Sequence, residues 1–358
     1  MIMNRLLHGV ILIALALLVW LSLHLAGNRI FQVDECAEVY AGRVLAAGPG
    51  KEHAIAMALL QFPISWLAKS APRSQDLFTA ARFLMVEVFW LNIVLLALAT
   101  GEKLFSTRGL VALLGAATLA PLWDYGIEIR HDNLLLTGIL LTWCLVRVRP
   151  SGWQSYFVAG ALAVGMQFAA HKAFAYVIPL TLVILLFPPP GHRLPRWKLA
   201  SCWGGGALVA FAALRLMYGL HGVGGLADTA DAGVRFVSAV AVSDSRFGPW
   251  VALARLPAQT PLLLAVVATA LVGMIGELRT KGRAAWNWEG CFPETLLLLG
   301  ALGVFLVNPT PFPYNLLHLV PFAFLLAYRY GSQQWSEIAR RPSLLTFAVT
   351  VCLRSTRS

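Results

Sequence analysis

Charge is what this chain has least of. Only 13% of its 358 residues are Asp, Glu, Lys or Arg, about half the share in an average soluble protein, while 58% are hydrophobic. A soluble globular fold is excluded by that balance. Acids are scarcer still, 17 against 28 Lys and Arg, for a net charge of +11. A basic excess can mark a nucleic-acid binder, but here the basic residues stand in small groups between apolar blocks, with no basic stripe interleaved with aromatics. No nucleic-acid partner is expected. The five cysteines, Cys36, Cys144, Cys202, Cys291 and Cys352, are widely spread and show no CxxC or Cys/His ligand spacing. They point to neither a zinc site nor a disulfide framework. Internal repeats and low-complexity segments are missing too. No GxGxxG or GxxxxGK[ST] fingerprint leads into a helix from a polar joint, which argues against a nucleotide substrate.

What the chain has in quantity is apolar blocks of membrane length. The first, Leu6 to Ala26, follows Arg5 and resembles a signal peptide. A cleavage site needs small residues at the cut, and His24-Leu25 ahead of Ala26-Gly27 fits poorly, so an uncleaved first span is expected. Further blocks near 83–101, 109–123, 134–147, 153–170, 173–187, 199–216, 261–276, 293–307 and 314–328 bring the expectation to about ten. With the N-terminus inside, ten alternating spans put fourteen of the 28 basic residues, among them Arg193, Arg196, Lys198, Arg340 and Arg341, in the short joints of one side. That is the positive-inside bias, and it turns the two long loops, 27–82 and 217–260, outward. Within the first loop, Ala54 to Leu67 is too short and too broken by Gln61 and Pro63 to span, so helices lying at the membrane interface are expected there. Pro188-Pro189-Pro190-Gly191 marks a firm break on the inner side. The fold class is therefore all-α, a polytopic membrane helical bundle of one domain over 1–342. Residues 343–358 form a short tail, read as a stub of a further span.

Four stretches carry chemistry, and all fall on the outward side. Asp34-Glu35 lies just past the first span; a carboxylate at that depth can act as a general base with a raised pKa, and Glu38 would share a helical face with the pair and raise it further. The alternative is a pair of solvated loop acids. The second stretch is Glu128-Ile129-Arg130-His131-Asp132-Asn133, where Glu128 and Asp132 would point the same way on a helix; a structural ion-pair knot is the competing reading. Third comes His171-Lys172, with no polar neighbours for several residues: Lys172 must snorkel to the headgroups or pair with an anion. The last runs from Asn308 to Asn315 and contains three prolines. At its end Tyr314 and Asn315, and one turn later His318, enter the membrane with polar atoms to satisfy, unless the turn simply carries an aromatic belt.

In order and sidedness this set resembles the membrane glycosyltransferases of the GT-C class, in the bacterial branch similar to protein mannosyltransferases and to the aminoarabinose transferase of lipid A. The resemblance runs from residue 7 to about 328. It comprises the Asp34-Glu35 pair after a first span, the Ala41-Gly42-Arg43 to Gly48-Pro49 helix, Arg130-His131-Asp132 at the head of a later span, Gly160 to Gly165 followed by Lys172, and Pro313-Tyr314 before a late span. It implies a GT-C-like bundle in the bacterial inner membrane, with the active site facing the exterior. The implied reaction is inverting transfer of a sugar from a polyprenyl-phosphate lipid to a lipid, protein or glycan acceptor. In that reading Asp34 is the general base with Glu35 beside it, and Lys172 and Arg130 hold the donor phosphate. Asp132, Glu128, His131, Tyr314, Asn315 and His318 bind or orient sugar and acceptor. No cofactor is implied, though the two acid clusters leave a divalent cation open. A lipid flippase, or a relative that only binds lipid phosphate, is the rival class; a flippase should carry charge near span centres.

Overall fold

The computed structural model describes residues 2–30, 32–48, 59–71, 73–148, 152–170, 173–188, 194–221, 261–285, 292–307 and 317–338. Among the described residues the only regular structure is helical, with no strand, in thirteen α-helices joined by short turns and bends. In chain order these are α1 (Ile2–Asn28), α2 (Val33–Ala46), α3 (Gln61–Ser70), α4 (Ser74–Ala99), α5 (Thr107–Ala117), α6 (Ala120–Tyr125) and α7 (His131–Trp143), followed by α8 (Gly152–Ala169), α9 (Phe174–Leu186), α10 (Arg196–Leu220), α11 (Pro261–Lys281), α12 (Phe292–Val307) and α13 (Val320–Ile338). A π-helical turn, Cys144–Val148, extends α7.

The blocks expected up to residue 307 overlap helices, though lengths differ; the last, 314–328, begins outside the described residues and meets an α-helix only from Val320, which runs on to Ile338. Three helical stretches, Leu6–Asn28, Ser74–Ala99 and Arg196–Leu220, are long and apolar enough to cross a membrane; α5, α7, α9 and α12 are shorter apolar helices. The block 109–123 is divided. Helix α5 ends where Thr118 turns its hydroxyl back on the Gly115 carbonyl, and α6 restarts with Pro121, which has no N–H to continue the first helix. Between α1 and α4 lie α2 and α3, of 14 and 10 residues.

Contacts near the helix ends fix their directions. His8, early in α1, lies 2.7 Å from the Thr107 hydroxyl at the start of α5, and Tyr328 of α13 donates to the Arg108 carbonyl. At the other end Arg29, just past α1, meets Glu128, and Arg82, early in α4, reaches the Arg29 and Ile30 carbonyls. Helices α1 and α5 therefore run one way, and α4, α7 and α13 the other. The main core gathers Phe89, Leu136, Trp143, Tyr156 and Phe305 from helices that lie far apart in sequence. Helices α8 and α10 pack through glycine: a Cβ on Gly160 would strike the Trp203 carbonyl, and one on Gly206 the Phe157 carbonyl.

Candidate active site

The acids and bases collect at the end of the bundle where α1 stops and α4 and α7 begin. Helix α2 starts after Gln32, in extended conformation, and Glu35 at the third helical position accepts the Gln32 backbone N–H at 2.9 Å. Fixing that turn separates the two neighbouring acids. Asp34 points outward with its side chain 60% exposed, whereas Glu35 is fully buried.

Glu35 is fully engaged. Arg82, itself buried, donates from Nε to one Glu35 oxygen at 3.0 Å and from Nη2 to the other at 2.6 Å; the Ile129 N–H adds a bond at 3.1 Å. The same guanidinium donates to the Arg29 and Ile30 carbonyls, so one side chain ties α4 to the exit of α1 and the entry of α2. Burial pushes the Glu35 carboxyl up, but the Arg82 guanidinium and the Gln32 and Ile129 N–H groups outweigh it and hold the group below its ordinary value. The expected rise is thus reversed at Glu35: each of its oxygens meets donors, and Glu38 is turned to a partner of its own.

Arg130 caps α7 in extended conformation after the bends at 126–129. Its Nε donates to Glu128 Oε2 at 2.5 Å and its Nη2 lies 2.8 Å from Asp34 Oδ2. The other Glu128 oxygen takes Arg29 Nη2 at 2.8 Å. One buried carboxylate therefore holds two guanidinium groups, and that of Arg130 also reaches Asp34. Burial works against the charged form of Arg130, but Glu128 first and Asp34 after it raise its pKa overall. The segment is pinned from beneath: the Asn133 amide donates to the Tyr125 and Glu128 carbonyls, and Asn92 donates to the Asn133 carbonyl. Glu128 and Asp132 do not share a helical face, because Glu128 sits in the bend and only Asp132 is in the first turn of α7.

Around this chain lie two further pairings. His131 Nδ1 is 2.8 Å from Glu38 Oε1, and Gln61 of α3 donates to the other Glu38 oxygen. Deeper in, His318 Nε2 stands 4.0 Å from Asp132 Oδ1, both side chains being almost wholly buried, and the Tyr176 ring lies 4.4 Å from the His318 ring. Tyr176 also walls an apolar crevice with Ile139, Pro179, Leu297 and Phe322. Among the described residues no group of three His, Cys, Asp or Glu side chains is placed to hold a metal ion.

Asp34, Glu35, Glu128, Arg130, His131, Asp132 and His318 thus come together at one end, from three regions of sequence. Lys172, Tyr314 and Asn315 lie outside the described residues, as does loop 217–260 from residue 222 onward. Sequence reasoning missed Arg29 and Arg82. It also missed Asp124, whose carboxyl is pushed up by partial burial against the pull of Arg29. A cation at the very edge of an apolar block, as at Arg82, was the available signal. Glu87, an acid in the middle of the same helix, is exposed on α4 and in no ion pair among the described residues. Set against known proteins, the chain matches no family model, no curated protein and no solved structure.

Proposed function

We propose that the chain is an inner-membrane glycosyltransferase of the GT-C kind, with about ten spans, its N-terminus inside, and α2 and α3 at the outer interface. It transfers a sugar from a polyprenyl-phosphate lipid to an acceptor hydroxyl. The observation that carries this reading is the exposed Asp34 carboxylate held 2.8 Å from the Arg130 guanidinium at the end of the bundle. A base and a phosphate-binding cation side by side are what displacement at an anomeric carbon next to a phosphate requires.

In the proposed reaction the acceptor oxygen attacks the anomeric carbon from the face opposite the phosphate, so the configuration inverts. The new C–O bond forms as the bond from carbon to phosphate oxygen breaks, and the electron pair leaves with the phosphate. Asp34 accepts the acceptor's proton. Arg130, and Lys172 on the same reading, take the developing phosphate charge, Arg through its fork and Lys as a compact cation. Glu128 orients Arg130. Asp132, His131 and His318, with Tyr314 and Asn315, bind sugar or acceptor.

A flippase would suit Glu87 in the middle of α4, but it is less well supported because the ion pairs of Arg29, Arg82, Arg130 and His131 gather at one end of the bundle. The test is to supply purified protein in lipid nanodiscs with polyprenyl-phosphate hexoses and pentoses and an extract of outer-face acceptors, and to measure release of free polyprenyl phosphate. Release with at least one donor is expected. Movement of intact donor between leaflets of proteoliposomes without release would favour the flippase.

A further inference from the structure

We infer that Arg29 and Arg130, bridged by the buried Glu128 carboxylate, form a two-guanidinium seat for a phosphate, and that Asp34 is the counter-ion which the phosphate displaces. This rests on the reading above and adds two things to it: Arg29 as a second phosphate-binding residue, and an order of events in which donor binding frees the base.

The two acids that Arg130 meets, Glu128 and Asp34, are unequal partners. Glu128 is 3% exposed and holds Arg29 through one oxygen and Arg130 through the other, so the two guanidinium groups are anchored side by side on a single carboxylate. Breaking that buried link strands charge in a poorly solvated place. The Arg130–Asp34 link is different, since Asp34 is 60% exposed and water can solvate its carboxylate as it leaves. An arriving anion therefore exchanges with Asp34 and leaves Glu128 in place. Arg29 and Arg130 keep 27% and 12% of their side-chain surface accessible, so both can be reached.

Charge balances through the cycle. The two arginines and Glu128 sum to +1 and Asp34 contributes −1, with Asp132 acting on Arg130 and Asp124 interacting with Arg29 from nearby. A sugar linked to a lipid through a phosphodiester carries one negative charge, the same as the carboxylate it replaces. Once released, Asp34 is free to take the proton of the acceptor hydroxyl. After transfer the lipid phosphate is a monoester with a second negative charge, and Asp34 is protonated, so the total is unchanged while charge has moved from carboxylate to phosphate. Arg29 is the cation already in place to share that added charge.

The test is binding of a short polyprenyl phosphate to the full-length protein in nanodiscs, with inorganic phosphate alone as a separate arm. Asp34→Asn removes the competing counter-ion and should bind the lipid phosphate about two- to fivefold more tightly than the parent, the range expected for loss of one exposed ion pair. In an Arg130→Gln background the gain should vanish. Arg29→Gln should weaken binding about tenfold, with Arg29→Lys as the substitute where the glutamine variant does not fold. Parent binding with no gain in Asp34→Asn, or a gain that persists without Arg130, overturns the exchange and leaves the glycosyltransferase reading standing. Binding of lipid phosphate by neither parent nor Asp34→Asn overturns both. Gain with inorganic phosphate but no binding of the lipid would make the seat a site for free anions, contrary to the inference.

Discussion

At the scale of single residues, adjacent acids in the sequence have opposite physical situations. Asp34 and Glu35 read alike as a pair of carboxylates near a membrane face, and the pair was legible as unusual; which one is buried was not. That depends on where α2 begins, because the Gln32 cap puts Glu35 inside against Arg82 and leaves Asp34 outside. Arg82 was hidden because hydropathy placed it at the margin of an apolar block. Removing one partner of the buried pair should be costly: Glu35→Gln is expected to destabilise the protein by about 3–5 kcal/mol, while Asp34→Asn, which breaks an exposed pair, should cost under about 1 kcal/mol. Thermal unfolding in detergent compares them, and equal losses would contradict the separation of roles. The acid response follows from the same contacts. Glu35 has its folded-state pKa held below its ordinary value of 4.5, so its stabilisation is complete above that value and is lost as pH falls through the lower folded-state value. Melting temperature followed from pH 7 to pH 3 should fall less steeply for Glu35→Gln than for the parent.

At the scale of elements, the apolar blocks predicted helices where helices occur, since burial in lipid leaves the backbone little else to form. Lengths were less legible. Pro121 and the Thr118 turn cut the third block in two, and a sliding hydropathy count is blind to both. Helix pairing was not legible at all, because glycines look alike in sequence. Gly160 and Gly206 sit against the backbone of the facing helix, whereas Gly165 and Gly204 face open space. Leucine at 160 or 206 should therefore destabilise by about 3 kcal/mol, the upper end for overpacking, and leucine at 165 or 204 by under about 0.5 kcal/mol. Similar melting temperatures for all four variants would show that α8 and α10 do not pack in this way.

At the scale of the whole molecule, the account requires that the rim formed by α2, the 126–130 bend and the start of α7 faces outward. The native Cys36, exposed beside Asp34, is a built-in probe. In intact cells it should react with a membrane-impermeant maleimide, and Cys36→Ser should lose that labelling; reaction only after permeabilisation would reverse the orientation. The Lys and Arg distribution supplies the sidedness that this labelling tests, and the grouping of acids and bases was legible from their order along the chain. The Arg29–Glu128–Arg130 bridge was not, because its members come together only when α1 and the bend before α7 are packed. The central claim is that Asp34 is the base for sugar transfer, and it is tested most directly by the turnover of Asp34→Asn. With a donor that the parent consumes, in a variant shown to be folded and to bind polyprenyl phosphate, transfer should drop by about 10²–10⁴-fold, because the amide keeps the shape but cannot accept the proton. Transfer by Asp34→Asn at the parent's rate would contradict the account.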